Sequence, residues 1–198
     1  QSVVSANQAA GFSIVSYTGT GSNATIGHGL SSAPELVITK IISNVGNWTV
    51  GEFATLGTDG YLKLNTTDSK ITATDVWNDT APTSTVVNIG TSSATNTSSA
   101  EYISYCFTSI SGFSKIGTYT GSGSGSTQSV NTGFAASWVM IKDYNVGGSW
   151  WIEDTARGGA LSLKANSPDA ESTTNYVTFT STGFDVTGGL NDSGSGSK

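Results

Sequence analysis

The chain has 198 residues, enough for one large all-β domain or two small ones, with 25 Gly and only 3 Pro. Charged residues are 11% and aromatic residues 10% of the chain: short strands between many turns suit the first value, and the second, with recurrent Val/Ile runs, excludes a wholly disordered chain. A formal net charge of −6 without any Lys/Arg cluster excludes nucleic acid and anionic membrane surfaces as main partners, since both are bound by cations that displace counterions.

In chain order, residues 1–10 read as an N-terminal extension. Gln1 opens the sequence with neither an initiator Met nor a signal-peptide pattern, as expected of a piece of a longer or processed product. From Gly11, "GFSIVSYTGTGSNATIGHGL" enters a strand and runs out into a Gly/Ser/Thr/Asn loop. "LVITKII" is a near-continuous apolar run too short for a buried helix, and predicts a central strand covered on both faces. "EFATL" and "YLKLN" flank "GTDG", where Asp59 and Gly60 are expected to supply the left-handed residues of a tight hairpin. In "YLKLN" the alternation of Leu with Lys63 predicts one face to the core. "EYISYCF" (101–107) is a further strand and carries the single cysteine, Cys106, expected to be a buried structural thiol.

The text then begins again. Phe113 falls on Phe12, and Tyr119 to Gly121 falls on Tyr17 to Gly19. "SWVMIK" (137–142) matches "ELVITK" (35–40) with Lys142 opposite Lys40, "YNVGGSWWI" (144–152) matches "SNVGNWTV" (43–50), and "ALSLK" (160–164) is set against "YLKLN" (61–65). Order and spacing agree beyond what shared composition produces, so the chain reads as two copies of one β unit, residues 11–107 and 108–198. The short connection "CFTSISGF" is not linker-like, and two tandem β-sandwich-like repeats packed as one rigid body are expected, with a single larger jelly-roll or lectin-like sandwich as the alternative. "WVMIK", like its counterpart, predicts a strand covered on both faces. A one-turn helix is expected at "SPDAES" from Ser167. The first copy ends in "EYISYCF", whereas the second reaches the matching loop "GGLNDSGSGSK" and stops, so its last strand is expected to be missing and its sheet edge open to a strand from elsewhere.

Few residues carry chemistry. His28, the single histidine, lies between glycines in "IGHGL" with no nucleophile elbow or spaced ligand set, which reads as a structural or solvent-facing turn histidine. The carboxylates are scattered, and no catalytic residues, metal ligands or cofactor site are assigned. Six Asn-x-Ser/Thr triplets, at Asn23, Asn47, Asn65, Asn78, Asn96 and Asn191, are read as chance products of composition. Among the tryptophans, Trp48 and Trp150 are expected to face a core with Val50 and Ile152. Trp151, opposite Thr49, is expected on the other face, as a candidate platform for a sugar or an anchor for a neighbouring subunit.

"EYISYCFTSISGFSKIGTYTG", "WVMIKDYNVGGSWWIEDTAR" and "VWNDTAPTSTVVNIGT", with the opening segment, resemble a repeated domain of large structural proteins of marine tailed bacteriophages, over almost the whole chain from Phe12. The resemblance implies a non-enzymatic virion module, as capsid decoration, fibre or tail surface protein. Its implied partners are further copies of itself or other virion proteins, with a host surface glycan as the alternative ligand, and its implied location is the virion surface.

Overall fold

The structure, a computed structural model, describes residues 2–158 and 161–192. It is all-β, built of several antiparallel sheets, with only two short 3-10 helices among the described residues, Gln8–Ala10 and Gly188–Asn191. No helix among them is long and apolar enough to cross a membrane. The chain divides into two compact units, one of Gln1–Lys63 with Lys70–Gly117, the other of Leu64–Ser69 with Thr118–Lys198.

The first unit is sandwich-like. Its larger sheet holds β1 (Ser2–Asn7), β2 (Phe12–Thr18), β4 (Leu36–Ile41), β5 (Trp48–Glu52), β6 (Gly60–Lys63), β7 (Ile71–Thr72) and β9 (Glu101–Phe107), in the order β1-β2-β9-β4-β5-β6-β7. A second sheet pairs β3 (Ala24–Gly27) with β8 (Val86–Ile89). Register aligns the inward rows: Tyr17, Tyr102 and Ile41 lie side by side, as do Ser13, Cys106 and Val37. These rows close with Ile26, Val87, Ile89, Val76 and Trp77 into one apolar core. Residues 2–7, read as an extension, are thus a strand of the sheet. Val37 and Ile38 are consecutive, hence on opposite faces, and both are buried, as a central strand requires. Cys106 is fully buried, and burial pushes its thiol up to about 12.

The second unit has two three-stranded sheets. One joins β11 (Trp138–Ile141), β12 (Trp151–Asp154) and β13 (Ser162–Lys164). The other joins β10 (Gln128–Asn131), β15 (Gly183–Val186) and β14 (Val177–Thr180). Val139, Ile141, Val177, Phe184, Val186 and Leu190 form its core. The ladder β11-β12-β13 repeats β4-β5-β6 in order and direction: Ile152 pairs with Met140 and Leu163 as Val50 pairs with Ile38 and Leu62.

Several expectations are corrected. The ladder sets Leu163 against Leu62 and Lys164 against Lys63, two residues away from the match of "ALSLK" to "YLKLN"; a shift of two preserves the alternation, so the pattern is blind to it. The β5–β6 connection is a longer loop whose left-handed residue is Gly57 (φ +76°), not the pair Asp59-Gly60. Gly60 is there for space, because a Cβ would meet the Leu56 carbonyl oxygen at 2.1 Å. "WVMI" is covered on one face only: Val139 and Ile141 are buried, Trp138 is exposed and Met140 half-buried. "GFSKIGTYTG" does not form the counterpart of β2, making only isolated bridges at Ser114 and Thr120, and Phe113 is exposed. β2 is held from both sides by β1 and β9, a support its own residues do not encode. No helix forms at Ser167: its hydroxyl accepts from Asp169 N–H (3.2 Å), and Lys164–Asp169 (3.1 Å) and Arg157–Glu171 (3.0 Å) ion pairs hold the segment open. The expected gap in the last strand concerns residues from Ser193 onward, which lie outside the described residues.

Candidate functional site

Each unit carries a pocket at the same place in its ladder. One wall is the connection between the two middle strands, 42–47 in the first unit and 142–150 in the second. The matched lysines shape it. Lys40 folds its ammonium onto the Ile41 carbonyl (2.5 Å), and Lys142 donates to the Asp143 carbonyl (2.6 Å). In the second unit the Asp143 carboxylate also accepts the N–H groups of Asn145 (2.9 Å) and Val146 (3.2 Å), bending the chain into a compact turn.

The opposite wall hangs on an asparagine. Asn96 accepts the N–H of Thr20 (2.7 Å) and donates to the carbonyls of Ser22 and Gly90 (both 2.6 Å). Asn191 accepts the N–H of Ser122 (2.9 Å) and donates to the carbonyls of Ser126 (2.8 Å) and Gly123 (3.0 Å). One residue earlier, the Thr95 carbonyl accepts from the Tyr17 hydroxyl (2.7 Å) and the Leu190 carbonyl from the Tyr119 hydroxyl (2.8 Å), and burial raises the pKa of both phenols. Both asparagines are fully buried. The reading of their triplets as chance products of composition misses this role. Their signal lies in position, each in the polar segment that follows β8 in the first unit and β15 in the second.

The linings differ. The first pocket, about 410 Å³, has Thr49, Tyr61, Lys63, two asparagines and two serines at its sides. The second, about 230 Å³, is walled by Trp151 and Tyr176, with Asp143, Asp192 and the glycine turn Gly147-Gly148 around them. Trp151 takes the ladder place of Thr49, pairing with Ile141 and Lys164. It therefore lies on the face of Val139 and Ile141, so the expected assignment of faces is reversed: Trp151 packs against the core of its unit. Trp150 is buried on the opposite face, and Trp48, half-buried, stacks on Tyr105 at 6.2 Å. The Trp151 indole meets Tyr176 edge-on at 4.9 Å, and the Lys164 ammonium stands 5.3 Å from its centroid.

The model of one protein family, a domain of unknown function (DUF7483), matches residues 1–197. The chain belongs to the DUF7483 family. No curated protein and no solved structure matches it. In this DUF7483 chain His28 is fully buried in the first unit. Its Nδ1 accepts the Leu30 N–H (3.1 Å), so Nε2 carries the proton and donates to the Thr83 carbonyl (3.1 Å), a neutral imidazole whose pKa burial lowers. Among the described residues no three His, Cys, Asp or Glu side chains gather where they could share a metal ion. The arrangement offers two lined pockets, and among the described residues Tyr17, His28, Tyr119, Lys142 and Glu153 direct their polar atoms to backbone groups of the fold.

Proposed function

We propose that the chain is a non-enzymatic structural module of a phage virion, serving in assembly and surface display, and that it joins its neighbours by accepting a β-strand. The observation that carries this reading is the contrast between β4 and β11. β4 lies between β5 and β9, paired along both edges. β11 has β12 on one edge and no strand on the other among the described residues, which leaves backbone groups along Trp138–Ile141 to be satisfied from outside. In the first unit Phe107 of β9 pairs with Leu36 and packs against Phe12 at 4.9 Å, covering the start of β4. The residue at that place in β11 is Trp138, 55% exposed.

β9 itself supplies the probe. Hydrogen exchange of the purified chain is measured with and without a peptide of residues 100–108 of this sequence. Slowed exchange across 138–141 on adding the peptide is expected. Amides of β11 that already exchange as slowly as those of β4, or that ignore the peptide, would sink the reading.

A further inference from the structure

We propose that the pocket beside Trp151 binds a single neutral six-membered sugar ring of a glycan. The inference is independent of the strand-edge reading, because none of the β11 residues Trp138–Ile141 lines the pocket.

Four features of the lining point to this ligand. Trp151 and Tyr176 meet at 71° and form an apolar corner, and the corner is rigid beforehand: Lys164, itself paired with Asp169 (3.1 Å), packs on the indole. A ring held in place contributes contact area without losing rotamer freedom on binding. The charged groups that line it are the carboxylates of Asp143 and Asp192, while the nearby ammonium groups are engaged, Lys142 on the Asp143 and Val146 carbonyls and Lys164 on Asp169, which disfavours phosphorylated, sulfated or carboxylated ligands and suits hydroxyl donors. Gly148 presents bare backbone, since a Cβ there would meet nothing within 4 Å. The volume of about 230 Å³ lies below the range of about 300–1,000 Å³ typical of drug-sized ligands, which limits the occupant to one ring. The first unit provides an internal control: at the same ladder places it has Thr49 for Trp151 and Ile41 for Asp143, so that Lys63, the counterpart of Lys164, has Thr49 beside it where Lys164 has an indole.

The test follows the indole N–H resonance of Trp151 by NMR in the whole chain. It is titrated to millimolar levels with the methyl glycosides of glucose, galactose, mannose and N-acetylglucosamine, and separately with tetramethylammonium and glucose 6-phosphate. At least one neutral glycoside is expected to move the Trp151 signal and leave the other tryptophans in place. Gly148→Leu, which fills the pocket from a position with free space, is expected to weaken that binding at least about tenfold. Should that variant fail to fold, Asp192→Asn on the exposed rim is expected to weaken it as well. No response to any glycoside, a stronger response to tetramethylammonium or to the phosphate, or binding unchanged in the folded variants would overturn the proposal.

Discussion

Gly51 and Glu153 hold the same place in two matching ladders, paired with Val37 and Val139, and the two units fill the space beneath them by opposite means. In the first, Trp77 lies under the strand so closely that a Cβ on Gly51 would stand 2.8 Å from its ring, and Phe53 meets the indole edge-on at 5.5 Å. In the second, the Glu153 side chain spans the gap itself. It is 1% exposed, and its carboxylate accepts the N–H groups of Tyr176 (3.0 Å) and Val177 (3.1 Å) at the start of β14. One unit joins its two sheets there by apolar burial, the other by a buried hydrogen-bonded carboxylate. What the ladder fixes is strand order and register; the means of closing the core is free to diverge.

Truncation tests that contrast most strongly at Trp77. It is fully buried, and Trp77→Ala is expected to destabilise the first unit by about 3–5 kcal/mol through lost transfer energy and the cavity left behind. Denaturant unfolding, with hydrogen exchange to locate the loss in β5 and β8, checks it; a loss spread equally over β12 and β14 would contradict the assignment. In the second unit the corresponding change is Glu153→Ala, which leaves the Tyr176 N–H without its acceptor, while the Val177 N–H keeps Asn175 Oδ1 (3.0 Å). A cost of about 1–3 kcal/mol is expected, with exchange accelerated most at Tyr176 and less at Val177. Glu153→Gln keeps one carbonyl oxygen to accept and should recover part of the loss. If it is as damaging as Ala, the carboxylate's charge and not its geometry holds the sheets together.

The parts legible in the sequence were those that depend on neighbours along the chain. Alternation and matched phrases place β2, β4, β6 and β9, and β11 as a later counterpart, whereas "EFATL", expected as a hairpin strand, is a turn from Phe53, just beyond β5. What stayed hidden depends on partners across space. "GFSKIGTYTG" repeats the wording of β2, yet strand formation there also needs flanking strands, which the wording does not carry. Trp151 was set on the wrong face because both faces of that ladder bear apolar residues, Val50 and Trp150 being buried on the side opposite the main cores. Periodicity finds two faces and cannot say which is inward when both are covered. Hidden too were Asn96 and Asn191 behind the pockets, whose bonds, apart from that of Asn96 to Gly90, span 65 or more positions.

The smallest expected effect separates the units by pH. His28 in the first is held neutral below its ordinary pKa, so the unfolded chain takes up a proton more readily than the folded one. The stability it confers is complete above the unfolded value of about 6.5 and is lost as pH falls below it, at no more than about 1.4 kcal/mol per pH unit. Glu153 works in the other direction. Burial raises its pKa against the two N–H donors and Arg157, so its contribution is fullest below the unfolded carboxyl value and declines as pH rises through the folded one. Acidification from neutral pH to about 5 should therefore weaken strands β3 and β8, near His28, while β12 and β14 hold or gain. Site-resolved hydrogen exchange at the two pH values, corrected for intrinsic rates, measures both at once. In His28→Gln the acid weakening of the first unit should disappear, whatever the variant's stability at neutral pH. Its persistence would assign the proton uptake to another group.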